Sequence, residues 1–296
     1  MDNQCIRLCC NEQGLLSSEP VFELYGNHDE ADTRIAFHIR HVSQNGFENI
    51  VVRANDTDIL VILMANVQHF GNSHVWMDVG FDADNSRRYI DVNCAANSIE
   101  YVSPLVAVYA LTGCDFVPAF FRKGKKKSVK LLKENDLFKE TFSNFGDMEL
   151  SENDMRVAEH FICCLYGYPK LHDVNRARCA YFESKCKPKS LSKPLDYLKS
   201  VEPSMFPPCR PVVTEQIKRA WFVSRLYKWA YKDDPTRDIT SLDFGWQLKN
   251  DRLEVKWFEG DQVPTTLEES EIVNEDDSDD EIEEEEDEED DLELDD

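Results

Sequence analysis

Two apolar runs, NIVV at 49–52 and ILVILM at 59–64, are separated by RANDTD, which sets Asp56 and Asp58 two residues apart between the most apolar segments of the chain. An unpaired buried charge is costly, so a carboxylate pair placed there must be exposed at an element end, hydrogen-bonded or engaged with a cation. A continuous apolar run bounded by polar residues reads as a strand inside a parallel sheet. Such sheets place ligands in the crevice outside the carboxyl ends of their strands, which is where Asp56 and Asp58 would stand.

The flanking pattern agrees with a layered α/β chain. DEADTRIAFHIRHV puts Ala31, Ile35, Ile39 and Val42 on one helical stripe, with Asp29 as its expected cap and Gly46 as its end. VFELY at 21–25 fits one short strand. ILVILMANVQHF reads as a helix or a second buried segment, HVWMDVG and RYIDV as strands, and SIEYVSPLVAVYALTGCD as a helix closing on glycine. From about residue 136 the pattern turns helical, with SENDMRVAEHFICCLYGY opening on a Ser-x-x-Asp cap. CKPKSLSKPLDYL and VEPSMFPPCRP read as loops, and GWQLKNDRLEVKWFEG as a hairpin. The helix opening at Thr214 carries Trp221, Phe222, Tyr227 and Trp229, aromatics that fit a core face better than a base-stacking surface.

Composition bears on the chain's end and its surroundings. Of the net charge of −25, residues 267–296 supply 21 acids and no Lys or Arg, so the rest of the chain carries only −4. Such a run buries too little apolar surface to offset chain entropy and reads as a disordered tail suited to basic proteins. No apolar stretch reaches the length of a membrane span, and no basic-then-apolar leader opens the chain, which predicts an intracellular protein with no membrane partner. The ten cysteines contain no CxxC pair. A zinc site from Cys163, Cys179, Cys186 and His160 or His172 competes with buried free thiols, and the spacing favours the thiols.

Three acidic clusters punctuate the first half: Glu30 and Asp32 at a helix start, Asp56 and Asp58 after a strand, and Asp115 in LTGCDF. Each alone fits a cap or a turn. Together they offer the hard oxygen donors that Mg²⁺ or Mn²⁺ prefers, enough for a two-metal phosphodiesterase site. Downstream, FFRKGKKKSVKLLKEN sets Arg122, Lys123, Lys125, Lys126 and Lys127 around Gly124. A glycine before a helix frees backbone N–H groups for a phosphate, and the cations neutralise nucleic-acid backbone. The plainer alternative is a solvated basic turn with Val129, Leu131 and Leu132 in the core.

In order and spacing, DEADTR, NDTDIL, GCDF and FRKGKKKSVKLL resemble the internal region of the flap endonuclease/XPG nucleases, and the same series resembles a group of multi-copy invertebrate proteins linked to mobile elements. The resemblance spans residues 26–135. It implies a PIN-like parallel sheet flanked by helices, metal-ligand and catalytic positions at Glu30, Asp32, Asp56, Asp58 and Asp115, and a helix-turn-helix whose Gly124, Lys125 and Lys126 grip duplex backbone. The implied substrate is DNA or RNA with a junction or flap. That family also carries an earlier strand bearing a metal-binding aspartate, which the residues before NHDEADTR do not supply. The expected organisation is a short segment 1–25, an N-terminally incomplete core 26–135, a mainly helical region 136–262 and the acidic tail 263–296. The expected activity is a metal-dependent structure-specific nuclease, with an inactive binding module as the alternative.

Overall fold

A computed structural model describes residues 5–10, 13–14, 16–28, 30–83, 85–185 and 202–258. The acidic tail, the cap expected at Asp29 and the whole CKPKSLSKPLDYL loop, Cys186 included, lie outside the described residues. The described residues belong to one compact unit.

The chain opens with a hairpin of β1 (Ile6–Cys10) and β2 (Leu16–Pro20), which pair only with each other. VFELY forms no strand. Phe22–Leu24 is a single 3-10 turn whose N–H groups find local acceptors: Leu24 donates to the Val21 carbonyl and Tyr25 to that of Phe22. Val21 and Leu24 bury against Phe37 of α1 (Ala31–Gln44). Glu30 occupies the N-cap position of α1 without a side-chain cap bond.

Strand β3 (Asn49–Arg53), helix α2 (Thr57–Asn66) and strand β4 (His74–Val79) form a βαβ unit with parallel pairing, Asn49 opposite His74 and Arg53 opposite Asp78. Strand β5 (Arg88–Asp91) adds antiparallel on the far side of β4, giving the order β3-β4-β5. The chain is therefore mixed α/β, with a small mixed sheet. FENIVV reads as a strand buried on both faces, and here the structure differs. β3 is an edge strand, and Val51, on the face opposite Ile50 and Val52, is 58% exposed.

Helices α3 (Val92–Asn97), α4 (Val102–Leu111), α5 (Lys125–Glu134), α6 (Asp136–Ser143), α7 (Glu152–Leu165), α8 (Val174–Lys185) and α9 (Arg210–Lys228) follow, then a hairpin of β6 (Trp246–Lys249) and β7 (Arg252–Val255). The Ser-x-x-Asp signal is a full capping box: Ser151 Oγ accepts from the Asp154 N–H, and the Asp154 carboxylate accepts from the Ser151 N–H. Helix α9 starts four residues before Thr214, because Pro211 sits in its first turn, where a missing N–H costs nothing.

Helices α2 and α4 are apolar nearly all round and lie inside. Helix α9 packs along α4 and is buried from Ala220 to Lys228, with Trp221 and Tyr227 in the core as their pattern predicts. A single hydrophobic core joins Ala36 and Ile62 to Phe142, Phe161 and Trp246. Approach to α9 is close: Gly146 has φ +82°, and a Cβ there would stand 2.4 Å from the Arg225 nitrogen. Lys228 ends the helix with its ammonium donating to the Phe145 carbonyl at 2.7 Å, the Ser143 carbonyl at 2.8 Å and Asp147 Oδ2 at 3.1 Å, which satisfies a buried cation.

Candidate functional site

Asp56 is the N-cap of α2, its Oδ1 accepting from the Asp58 N–H at 2.9 Å. The strand-to-helix turn thus explains one of the two carboxylates as a cap. Asp58, in the first turn of the same helix, points inward and is 8% exposed. Tyr109 of α4 donates to its Oδ1 at 2.5 Å and Tyr227 of α9 to its Oδ2 at 2.6 Å. Both phenols are held well above the usual tyrosine range by burial first and by the Asp58 hydrogen bond second, so they stay protonated donors. A charge-assisted hydrogen bond is about twice as strong as a neutral one, and this pair ties three helices to one carboxylate.

The other acids gather at the mouth of this arrangement. Asp32 lies in the first turn of α1, and its carboxyl is raised above the usual range by partial burial and then by the charges of Asp56, Asp58 and Asp115. Asp115 stands exposed at the tip of a tight turn closed by reciprocal bonds, Cys114 N–H to the Val117 carbonyl at 2.9 Å and Val117 N–H to the Cys114 carbonyl at 3.2 Å. The turn requires Gly113, whose φ is +125° and whose added Cβ would meet the Ala119 Cβ at 2.8 Å. Glu30 is close enough to Tyr227 for its charge to oppose ionisation of the phenol. The five acids named from the sequence therefore come from α1, α2 and the 113–117 turn into one region. Among the described residues, no group of three His, Cys, Asp or Glu side chains is already placed to hold a metal ion.

The start of α1 is fixed from the opposite end of the chain. His28 bridges Thr33 Oγ1 at 3.0 Å and the Lys232 carbonyl at 2.8 Å, and the Asn27 N–H donates to the Asp233 carbonyl at 2.7 Å. Burial holds the His28 imidazole below its ordinary value.

The basic turn divides in two. Lys125 turns inward: its ammonium lies 3.5 Å from the centre of the Tyr109 ring, donates to the Tyr109 carbonyl at 2.7 Å and also bonds the Gly113 carbonyl. Lys123 lies 5.3 Å over the Tyr166 ring. Arg122 and Lys126 are exposed and Lys127 is half-buried, with Gly124 as the N-cap of α5. Further along α5, Lys130 and Lys133 join Lys126 around a groove that also includes Tyr101 and Val129. Leu132 is buried and Leu131 partly so, as the plainer alternative expects, whereas Val129, which it also places in the core, lines the lysine groove.

Sequence reasoning does not single out Tyr109 or His28, and it takes Tyr227 only as core. The available signal is chemical: a phenol in an apolar helix needs a hydrogen-bond partner. Lys125 carries a testable consequence. Burial lowers its ammonium to about 8, against roughly 10.4 in an unfolded chain. Between those values the unfolded state binds more protons, so this group's contribution to stability rises with pH across that window. Urea midpoints taken near pH 7 and pH 10 should show an increment in the wild-type chain that Lys125→Met removes.

Helices α7 and α8 hold none of these groups. Cys164 Sγ lies 3.5 Å from His160 Nε2, and the His160 and His172 rings are 3.8 Å apart. Cys163 is buried and Cys179 exposed, a distribution of separate free thiols. The chain matches no family model, no curated protein and no solved structure, so its functional reading rests on the site and on the order of its motifs.

Proposed function

We propose that the chain is a divalent-metal-dependent nuclease of flap endonuclease type on a PIN-like core, acting on DNA or RNA that carries a junction or flap. The observation that carries this reading is the crowding of Asp32 by Asp56, Asp58 and Asp115. Caps and turns explain acids one at a time, and Asp56 is such a cap, but they give no reason to bring acids from three elements near enough for the charges of Asp56, Asp58 and Asp115 to add to the burial that raises Asp32. Carboxylate oxygens are the donors Mg²⁺ and Mn²⁺ prefer, and a cation relieves the part of that rise that comes from neighbouring charge.

In this reading Asp32, Asp56 and Asp115, with Glu30 beside them, hold the ions. Asp58 keeps its two phenols and fixes the wall behind them. When bound, such ions supply an activated water and neutralise charge at the reacting phosphate. The chain's own contribution is placement: the Asp58 anchor sets the α2 start against α4, and Lys125 fixes the Gly113 carbonyl that begins the Asp115 turn. Lys126, Lys130 and Lys133 fall on one side of α5 at spacings of four and three, suited to successive phosphates.

A second reading, a binding module that has lost its chemistry, is favoured by one observation: both Asp58 oxygens are already committed to tyrosines. The nuclease reading, and the second reading where the module binds nucleic acid rather than protein, require the lysine face to bind nucleic acid. The triple substitution Lys126→Ser/Lys130→Ser/Lys133→Ser should weaken binding to a labelled flap duplex about tenfold or more near 100 mM salt. It should also reduce the log–log salt slope by about 2 to 3. An unchanged slope in fluorescence anisotropy would remove the lysine face from the account.

A further inference from the structure

The β3-β4-β5 sheet ends on β3. The Glu48 carbonyl accepts from the His74 N–H at 2.6 Å and the Ala54 N–H donates to the Asp78 carbonyl at 3.2 Å, so residues 48 and 54 bond toward β4. Alternation along a strand then turns the N–H and C=O groups of Asn49, Val51 and Arg53 to the open edge. The β1–β2 hairpin, the only neighbouring strands on the N-terminal side among the described residues, pairs with itself and leaves this edge bare.

The edge borders a groove of about 470 Å³ between β3 and α1, with Ile35, Val42, Ile50 and Val51 in its apolar lining. Arg34 and His38 of α1 also line it. Arg34 donates to the Leu24 carbonyl at 3.1 Å and to His38 Nε2 at 3.4 Å, and among the described residues neither side chain pairs with a carboxylate. A row of unpaired backbone groups, an apolar trough and the Arg34 guanidinium, which has no carboxylate partner among the described residues, therefore share one cleft.

We propose that this edge receives an extended apolar strand of another polypeptide, carrying a carboxylate that meets Arg34. Each part of the cleft specifies one feature of that partner. The bare ladder groups call for an extended backbone, as in strand addition. The trough takes alternate aliphatic side chains, because successive residues of a strand face opposite sides. The Arg34 guanidinium selects an acid. The partner proposed is a different polypeptide, and a second copy of this chain is the occupant the test sets against it. This inference is independent of the nuclease reading and needs no metal.

The test uses the full chain and a fluorescent heptapeptide of alternating valine and leucine ending in Asp-Gly, followed by anisotropy. Saturable binding is expected. It should weaken at least tenfold when one alternate set of peptide amides is N-methylated, and change little when the other set is. Lysine in place of the peptide aspartate should weaken binding about fivefold, and Arg34→Glu should reverse that preference. No saturable binding, equal binding of both N-methylated peptides, or a dimer of the chain that Val51→Lys abolishes would each overturn the proposal.

Discussion

Asp58→Ala is expected to lower stability by about 3 kcal/mol, because it strips two donors of their acceptor at once, and a buried unsatisfied hydroxyl costs about 1 to 3 kcal/mol. Tyr227 is 1% exposed, so solvent cannot replace the acceptor its hydroxyl loses, and most of the cost comes from that side. For a body of this size the change corresponds to a fall in Tm of roughly 6 to 12 °C. Asp58→Asn keeps one acceptor and offers an N–H₂ that the second phenol oxygen can accept, so its cost should be about half as large. Asp56→Asn should cost under about 0.5 kcal/mol, since Asn caps a helix as well as Asp does. Urea unfolding followed by circular dichroism measures all three. A stable Asp58→Ala chain would show that the two tyrosines do not depend on this carboxylate.

The second large effect separates repulsion from metal binding. Asp32→Asn/Asp115→Asn removes two of the charges crowded at the site, so the metal-free variant should be as stable as the wild-type chain or slightly more so. With Mn²⁺ at about 100 times its dissociation constant, the wild-type chain should gain about 2.7 kcal/mol, or roughly 5 to 10 °C in Tm. The variant should gain almost nothing. The two chains therefore cross, the variant leading without Mn²⁺ and trailing with it. Scanning calorimetry with and without the ion reads this directly, and an equal Mn²⁺ shift in both would place any ion elsewhere.

Much of the layout is legible in the sequence because it is local. The NIVV run and the Ser151–Asp154 box rest on pattern and capping chemistry, and each forms where its residues indicate, while the ILVILM run, open in the sequence between a helix and a second buried segment, is helix α2. VFELY and the start of α9 read differently from their apolar patterns. Burial of Val21 and Leu24 against Phe37 decides the first, and the tolerance of a first helical turn for Pro211 decides the second. The exposure of β3 is invisible in its own residues, since burial on both faces depends on what the rest of the chain packs over each face. At the site, the five acids could be named from spacing, but their division of labour could not. Asp56 and Asp58 are two residues apart, yet one caps a turn in solvent and the other meets phenols from residues 109 and 227. Lys125 and Lys126 are adjacent in the basic turn, and only the rotation of α5 sends the first onto Tyr109 and the second outward.

The most direct test of the central claim is cleavage of labelled flap, hairpin and single-stranded DNA in Mg²⁺ or Mn²⁺ by the intact chain and by Asp32→Asn/Asp115→Asn, with matched urea midpoints establishing that both are folded. The account predicts metal-dependent cutting by the intact chain and a loss on the order of 10³-fold in the variant, equivalent to about 4 kcal/mol of transition-state stabilisation. Cutting that persists in the variant, or none by a folded chain that binds Mn²⁺, would contradict it.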